Sequence, residues 1–163
     1  MYYINSFFIY SIIGYLFEAY IIKSESGILY GPITPIYGIG AIIILIISKY
    51  LFANLHLPRW QETLIASLLL MIILTIIELI SGILIEKIFH KVFWDYSNLP
   101  LSFGHYIALP VSLGWFLASI LLIYFIKPLL DKIIINIPPF VTIILIVIFI
   151  IDNIYTYYKA IVK

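Results

Sequence analysis

The sequence predicts an all-α fold, a polytopic integral membrane bundle of five transmembrane helices forming one domain over residues 1–163. Three observations carry this. Of the 163 residues 64% are hydrophobic and only 10% are charged, against about 25% charged in an average soluble chain. Five apolar runs meet the requirement of roughly 20 residues that a helix needs to cross a hydrocarbon core about 30 Å thick. Most prolines and most charges fall between those runs rather than inside them.

The first run covers about Tyr2 to Ile22. It lacks a basic leading segment and a small-residue cleavage site, so it is expected to be a retained span. The second, about Pro35 to Phe52, follows Gly31, Pro32 and Thr34-Pro35, which resemble an N-cap and a proline at the first helical position. Asn54 to Arg59, with Pro58, separates it from the third, about Thr63 to Ile85. Lys87 to His105 is the longest connection, where Trp94 and Tyr96 suit the headgroup level. The fourth run covers about Tyr106 to Ile126 and the fifth about Phe140 to Tyr158. Between these two, Pro128, Asp131, Lys132, Asn136, Pro138 and Pro139 predict a break, with the charges from Lys127 to Lys132 in a solvated loop. The many isoleucines favour strands in water. In lipid, however, each segment must satisfy its own backbone polar groups, and that selects helix.

Composition also limits function. A formal net charge of +1 provides no basic field for nucleic acid. The absence of cysteine removes disulfides, thiolate metal ligands and cysteine catalysis. The chain holds no G-x-x-x-x-G-K-[ST] loop, H-E-x-x-H or G-x-S-x-G, so it has no P-loop of its own for ATP. No cofactor and no metal is expected, and enzymatic activity is not the leading expectation. Five crossings place Lys49, Arg59, Lys127 and Lys132 on the side of the N-terminus, and Lys23, Lys87, Lys91, Lys159 and Lys163 on the other. That balance assigns no orientation.

The same topology gathers the polar residues on the side away from the N-terminus. Glu18, Glu78, Glu86, Asp152 and Asn153 all fall late in spans that run in one direction. The openings of the two returning spans, Gly31 to Gly38 and His105 to Pro110, lie on that side as well. Glu78 is eight residues before Glu86, roughly 12 Å deeper. A charge near a helix centre costs about 2.5 to 3.5 kcal/mol on insertion scales, so Glu78 is expected to face the bundle. Spacings of four put Glu78, Gly82 and Glu86 on one face, with Gly82 allowing close approach by a neighbour. Gly14-x-x-x-Glu18 repeats as Gly82-x-x-x-Glu86, the pattern expected of two parallel helix-hairpin units.

Plainer roles stand beside these. Glu78 suits a protonated packing residue, and Glu18 and Glu86 suit snorkelling side chains. Asp152 suits the end of an apolar run. Gly31 to Gly40 either lines a cavity with amides suited to anions or polar headgroups, or is an ordinary loop before a proline-started helix. His90, Asp95 and His105 have the residue types but not the spacing of a metal site. Trp94, Tyr96 and Trp115 suit belt and packing aromatics.

Phe7-Phe-Ile-Tyr-Ser11, Gly14-Tyr-Leu-Phe-Glu18 and Gly27-x-Leu-Tyr-Gly-Pro-Ile-Thr-Pro-Ile-Tyr-Gly-Ile-Gly40 resemble the first hairpin of a bacterial membrane family, the type IV ABC-transporter permeases (CmpB-like). The match continues in order through Glu78-x-x-x-Gly82-x-x-x-Glu86-Lys-x-Phe, His90, Trp94-Asp-Tyr-Ser97 and Pro110-x-Ser112-x-x-Trp115, and it covers roughly Phe7 to Pro128. The resemblance implies a transport role, a separate ATPase subunit and a homo-oligomer.

The resulting expectation is a permease-like or transport-associated, multi-pass protein of a bacterial cell membrane, whose surroundings are the lipid bilayer. Its polar pocket is expected to be built by Glu18, Glu78 and Glu86, with Tyr37 beside them. Gly31, Pro32, Pro35 and Gly38 supply its backbone, and the Trp94-Asp95-Tyr96 loop covers it. The carboxylates would bind a cation or the cationic part of a solute, or carry protons. The rival expectations are an interfacial enzyme acting on lipid or lipid-linked substrates through a carboxylate with His90 or Asp95, and an accessory subunit without a site.

Overall fold

The computed structural model describes residues 1–23, 28–51 and 57–162. Gly27, part of the first-hairpin motif, and Phe52, the expected end of the second span, lie outside them, as do Asn54 and Lys163. Two compact units emerge, Met1–Ile42 with Leu129–Lys163, and Ile43–Pro128.

In the first unit, α1 (Tyr2–Leu16) widens into a π-helical stretch, Phe17–Ile22. It closes at Lys23, which takes a left-handed conformation (φ 57°) and donates its amide to the Glu18 carbonyl. The buried face of α1 is unusually polar: Asn5, Ser6, Phe8, Tyr10, Ser11 and Gly14. Lipid is as apolar as isoleucine, so hydrogen bonds and close packing must hold the helices together. Asn5 Nδ2 donates to the Ile134 carbonyl at 3.3 Å, and Thr142 Oγ1 to Asn5 Oδ1 at 2.6 Å. Tyr2 OH donates to Asp131 Oδ1 at 2.7 Å, and Phe7 and Phe8 meet Phe149 edge-on. These contacts join α1 to α5 (Lys127–Ile135) and α6 (Pro139–Val162). Pro35 opens α2 (Pro35–Ile46) as expected, and the Tyr37 amide reaches the Thr34 carbonyl at 3.2 Å. The cap is only a backbone one, because the buried Thr34 hydroxyl has no hydrogen-bond partner among the described residues.

The second unit is built on α3 (Arg59–Phe89), the longest helix. Thr63, Ala66, Ser67, Leu70, Leu74, Glu78 and Gly82 are buried at steps of three and four, the stripe one neighbour covers. That neighbour is α4 (Leu109–Leu121), which buries Ser112, Trp115 and Ser119. Thr75 Oγ1 donates to Ser112 Oγ at 2.8 Å across the pair. Between the helices lies a two-stranded antiparallel hairpin, β1 (Ser102–Phe103) and β2 (Ile107–Ala108), pairing Ser102 with Ala108 and Phe103 with Ile107. Gly104 at its tip has φ 63°, open to glycine at little cost.

Among the described residues four helices are long and apolar enough to span a bilayer: Tyr2–Ile22, Arg59–Phe89, Leu109–Ile135 and Pro139–Val162. The remaining one expected, α2 together with the π-helical stretch that continues it, is a shorter apolar helix, Pro35–Tyr50. Two boundaries need correction. Tyr106 precedes the fourth span instead of starting it, because it lies in the turn between β1 and β2 and the helix begins only at Leu109. The Lys127-to-Lys132 segment is not a loop, since the helix continues to Ile135. Pro128 comes two residues after a π-helical turn, Leu122–Ile126, where the ladder is already shifted and the missing proline N–H is absorbed. The chain breaks instead around Pro138, and Pro139 begins α6.

Candidate carboxylate sites

In the second unit Glu78 is 5% exposed, far along the 31-residue α3. Trp115 Nε1 donates to its Oε2 at 3.1 Å, and Tyr96 OH approaches Oε1 at 3.5 Å, the long end of a hydrogen bond. One turn further on, Gly82 faces the ring of Tyr106 so closely that a Cβ there would overlap the base of the ring. The Tyr106 hydroxyl donates to the Glu86 carboxylate a further turn along. The connection is shaped to deliver these groups. His90 ends α3 in a left-handed conformation (φ 51°), its amide on the Glu86 carbonyl at 2.8 Å. The Tyr96 amide donates to the His105 carbonyl at 2.7 Å, and Trp94 Nε1 to the Tyr106 carbonyl at 3.2 Å. Tyr96 thereby approaches Glu78 while Tyr106 lies on Gly82.

Asp95 belongs to the same connection but is exposed, and so is His105, whose Nδ1 lies 3.1 Å from Asp95 Oδ1. The same oxygen accepts the Ser97 amide at 2.8 Å. The Ser97 bonds first, and then His105, hold the Asp95 carboxyl down to about 2. This pair builds a turn. His90 serves as a helix C-cap. No group of three or more metal-ligating side chains occurs among the described residues.

In the first unit Glu18 lies in the π-helical stretch and accepts the Tyr37 hydroxyl at 2.9 Å. Gly14, one turn earlier, leaves room for the Tyr37 ring, as Gly82 does for Tyr106. Gly38 is buried against Ser11 and Phe7. The Gly31 segment does present amides to an anion, and that anion is internal. Tyr30 and Gly31 donate to the two oxygens of Asp152 at 3.1 and 2.9 Å. Pro32 beside them is exposed and Pro35 is the first residue of α2.

The expected pocket residues therefore fall into groups: Glu18 with Tyr37, Glu78 with Tyr96, Asp95 with His105, and Glu86 with Tyr106. Tyr106 and Trp115 were missed as partners, and Asp152 was read as the end of a run. Repetition of a tyrosine after each Gly-x-x-x-Glu could have found Tyr106. No local signal finds the other two, whose partners are 37 and 121 residues away.

Several helices long and apolar enough to cross a bilayer mark a multi-pass integral membrane protein. The chain belongs to the ABC-transporter type IV family, CmpB-like: the family pattern described as "Putative ABC-transporter type IV" matches residues 5–157. No curated protein and no solved structure matches.

Proposed function

We propose that this chain is the membrane-embedded, permease-like part of an ABC-type transport system, and that Glu78 carries its transport chemistry. The carrying observation is Glu78 itself, buried far along a span with aromatic N–H and O–H donors on its two oxygens. An ionisable group inside a membrane is costly, and such groups mark ion, proton or substrate paths. Trp115 and Tyr96 can stabilise the carboxylate without neutralising it, which leaves it able to take a proton or meet a cationic group. Energy from ATP would be supplied by an ATPase partner, since these 163 residues hold no P-loop. Family membership supports that partnership.

The test is Glu78→Gln in proteoliposomes with the ATPase partner that co-purifies. The amide keeps the shape and one acceptor for the Trp115 indole N–H, with the Tyr96 hydroxyl turned to accept from its NH2, but it cannot ionise. Insertion and melting are expected to stay near wild type while transport falls to background. Undiminished transport by the variant overturns the assignment.

A further inference from the structure

The two Gly-x-x-x-Glu motifs are alike in more than sequence. In the first unit, the glycine accommodates a tyrosine ring and the glutamate four residues later accepts that ring's hydroxyl: Gly14, Tyr37 and Glu18. In the second unit Gly82, Tyr106 and Glu86 do the same with the same atoms. Glycine and tyrosine are 23 residues apart in one unit and 24 in the other. In each, the tyrosine comes from the segment that precedes or opens the returning helix, α2 or α4. The register extends backward along the buried face. Ser6, Tyr10, Gly14 and Glu18 occupy the steps that Leu74, Glu78, Gly82 and Glu86 occupy in α3. Ser6, Tyr10 and Gly14 are buried, as are Leu74, Glu78 and Gly82.

Chance can supply a Gly-x-x-x-Glu in an apolar helix. It does not readily supply, twice, a tyrosine within one residue of the same offset that fills the glycine's groove and bonds the glutamate. We infer that the chain contains an internal duplication of a helix hairpin, each copy closed by an equivalent tyrosine–carboxylate latch, Tyr37 on Glu18 and Tyr106 on Glu86. The latch does two jobs. Ring on glycine brings the connecting backbone against the first helix, and hydroxyl on carboxylate fixes how far along the helix it sits. The copies differ where the register has Tyr10 in one and Glu78 in the other, 4% and 5% exposed. Only the second copy places a carboxyl at that step. The latches stand whether or not Glu78 carries transport.

The test is amide hydrogen exchange of the full chain in lipid nanodiscs, with Tyr37→Phe, Glu18→Leu and their double variant, and with Tyr106→Phe, Glu86→Leu and theirs. Phenylalanine keeps the ring on the glycine, so packing survives while the hydroxyl contact goes. Loss of one interhelical hydrogen bond in a membrane protein corresponds to roughly three- to fifteenfold faster local opening. Tyr37→Phe and Glu18→Leu are each expected to speed exchange by that factor in residues 28–37. Tyr106→Phe and Glu86→Leu are expected to do so in residues 102–108. Each double variant should be no faster than its faster single, because both changes break one bond. The inference is overturned if one tyrosine variant loosens its segment and the other does not, or if the double variants are additive.

Discussion

Gly82 and Gly114 lie on the two packed helices of the second unit, and alanine at each should have opposite effects. At Gly82 a Cβ would overlap Cγ and Cδ1 of Tyr106, the base of a ring that cannot bend away. The ring must leave its groove. Overpacking typically costs about 1–3 kcal/mol, and moving the ring also gives up the Tyr106–Glu86 hydrogen bond, worth about 0.5–1.5 kcal/mol. Alanine returns about 1 kcal/mol of helix propensity. The net is a destabilisation of roughly 1–3 kcal/mol. At Gly114, in the interior of α4 and exposed, nothing lies within 4 Å of where a Cβ would sit. Only the propensity gain of about 1 kcal/mol remains, so Gly114→Ala should be stabilising. Unfolding by SDS titration in mixed micelles, followed by helicity, reads both. The variants should differ by roughly 2–4 kcal/mol with opposite signs relative to wild type. If Gly82→Ala is as harmless as Gly114→Ala, Tyr106 does not fill that groove and the latch geometry is wrong.

Asp152→Asn keeps one acceptor for the two amides of Tyr30 and Gly31 and loses the charge that strengthens both bonds. Exchange at those two amides should quicken about tenfold, and unchanged exchange would show that Asp152 does not anchor the segment. Acidification offers a separate check on the connection after α3. The folded Asp95 carboxyl is depressed from 3.8 to about 2, so its stabilising effect is full above about 4 and is lost as pH falls toward 2. His105 ring resonances, followed by NMR, should lose their Asp95-dependent shift in that window, and Asp95→Asn should abolish the transition. A transition that persists in the Asn variant belongs to another group.

Hydropathy made most spans legible because burial in lipid needs length and little else. It failed where length and charge gave opposite signals. The Lys127–Ile135 helix carries charge and proline yet stays helical, since the π turn before Pro128 removes the usual objection. The β1–β2 hairpin went unread because two-residue strands have no periodicity to detect. Within the site, Glu78 and Gly82 were readable because helical spacing fixes their common face. Tyr37 was selected from its place in the segment. Trp115 was taken for packing because nothing nearby in sequence reveals that its indole N–H meets a carboxylate 37 residues earlier. Asp152 was undervalued for the same reason, its partners lying on a different helix hairpin.

These failures and successes share a cause. In water an amphipathic stripe tells a helix which face to bury, but isoleucine against lipid and isoleucine against isoleucine are nearly equivalent. The inside of α1 is accordingly marked by Asn5, Ser6, Ser11 and Gly14, and that of α3 by Thr63, Ser67, Glu78 and Gly82. The polar and small residues that specify packing are therefore drawn from the same set as residues that could move ions or protons. A buried serine or asparagine here says little about function, because the fold already needs it. Glu78 differs. A serine or threonine could supply a hydrogen bond to Trp115 at far lower desolvation cost than a carboxyl. A carboxyl at that buried step in one hairpin, where the other carries Tyr10, is more than packing requires, and it supports the proposed transport role of Glu78.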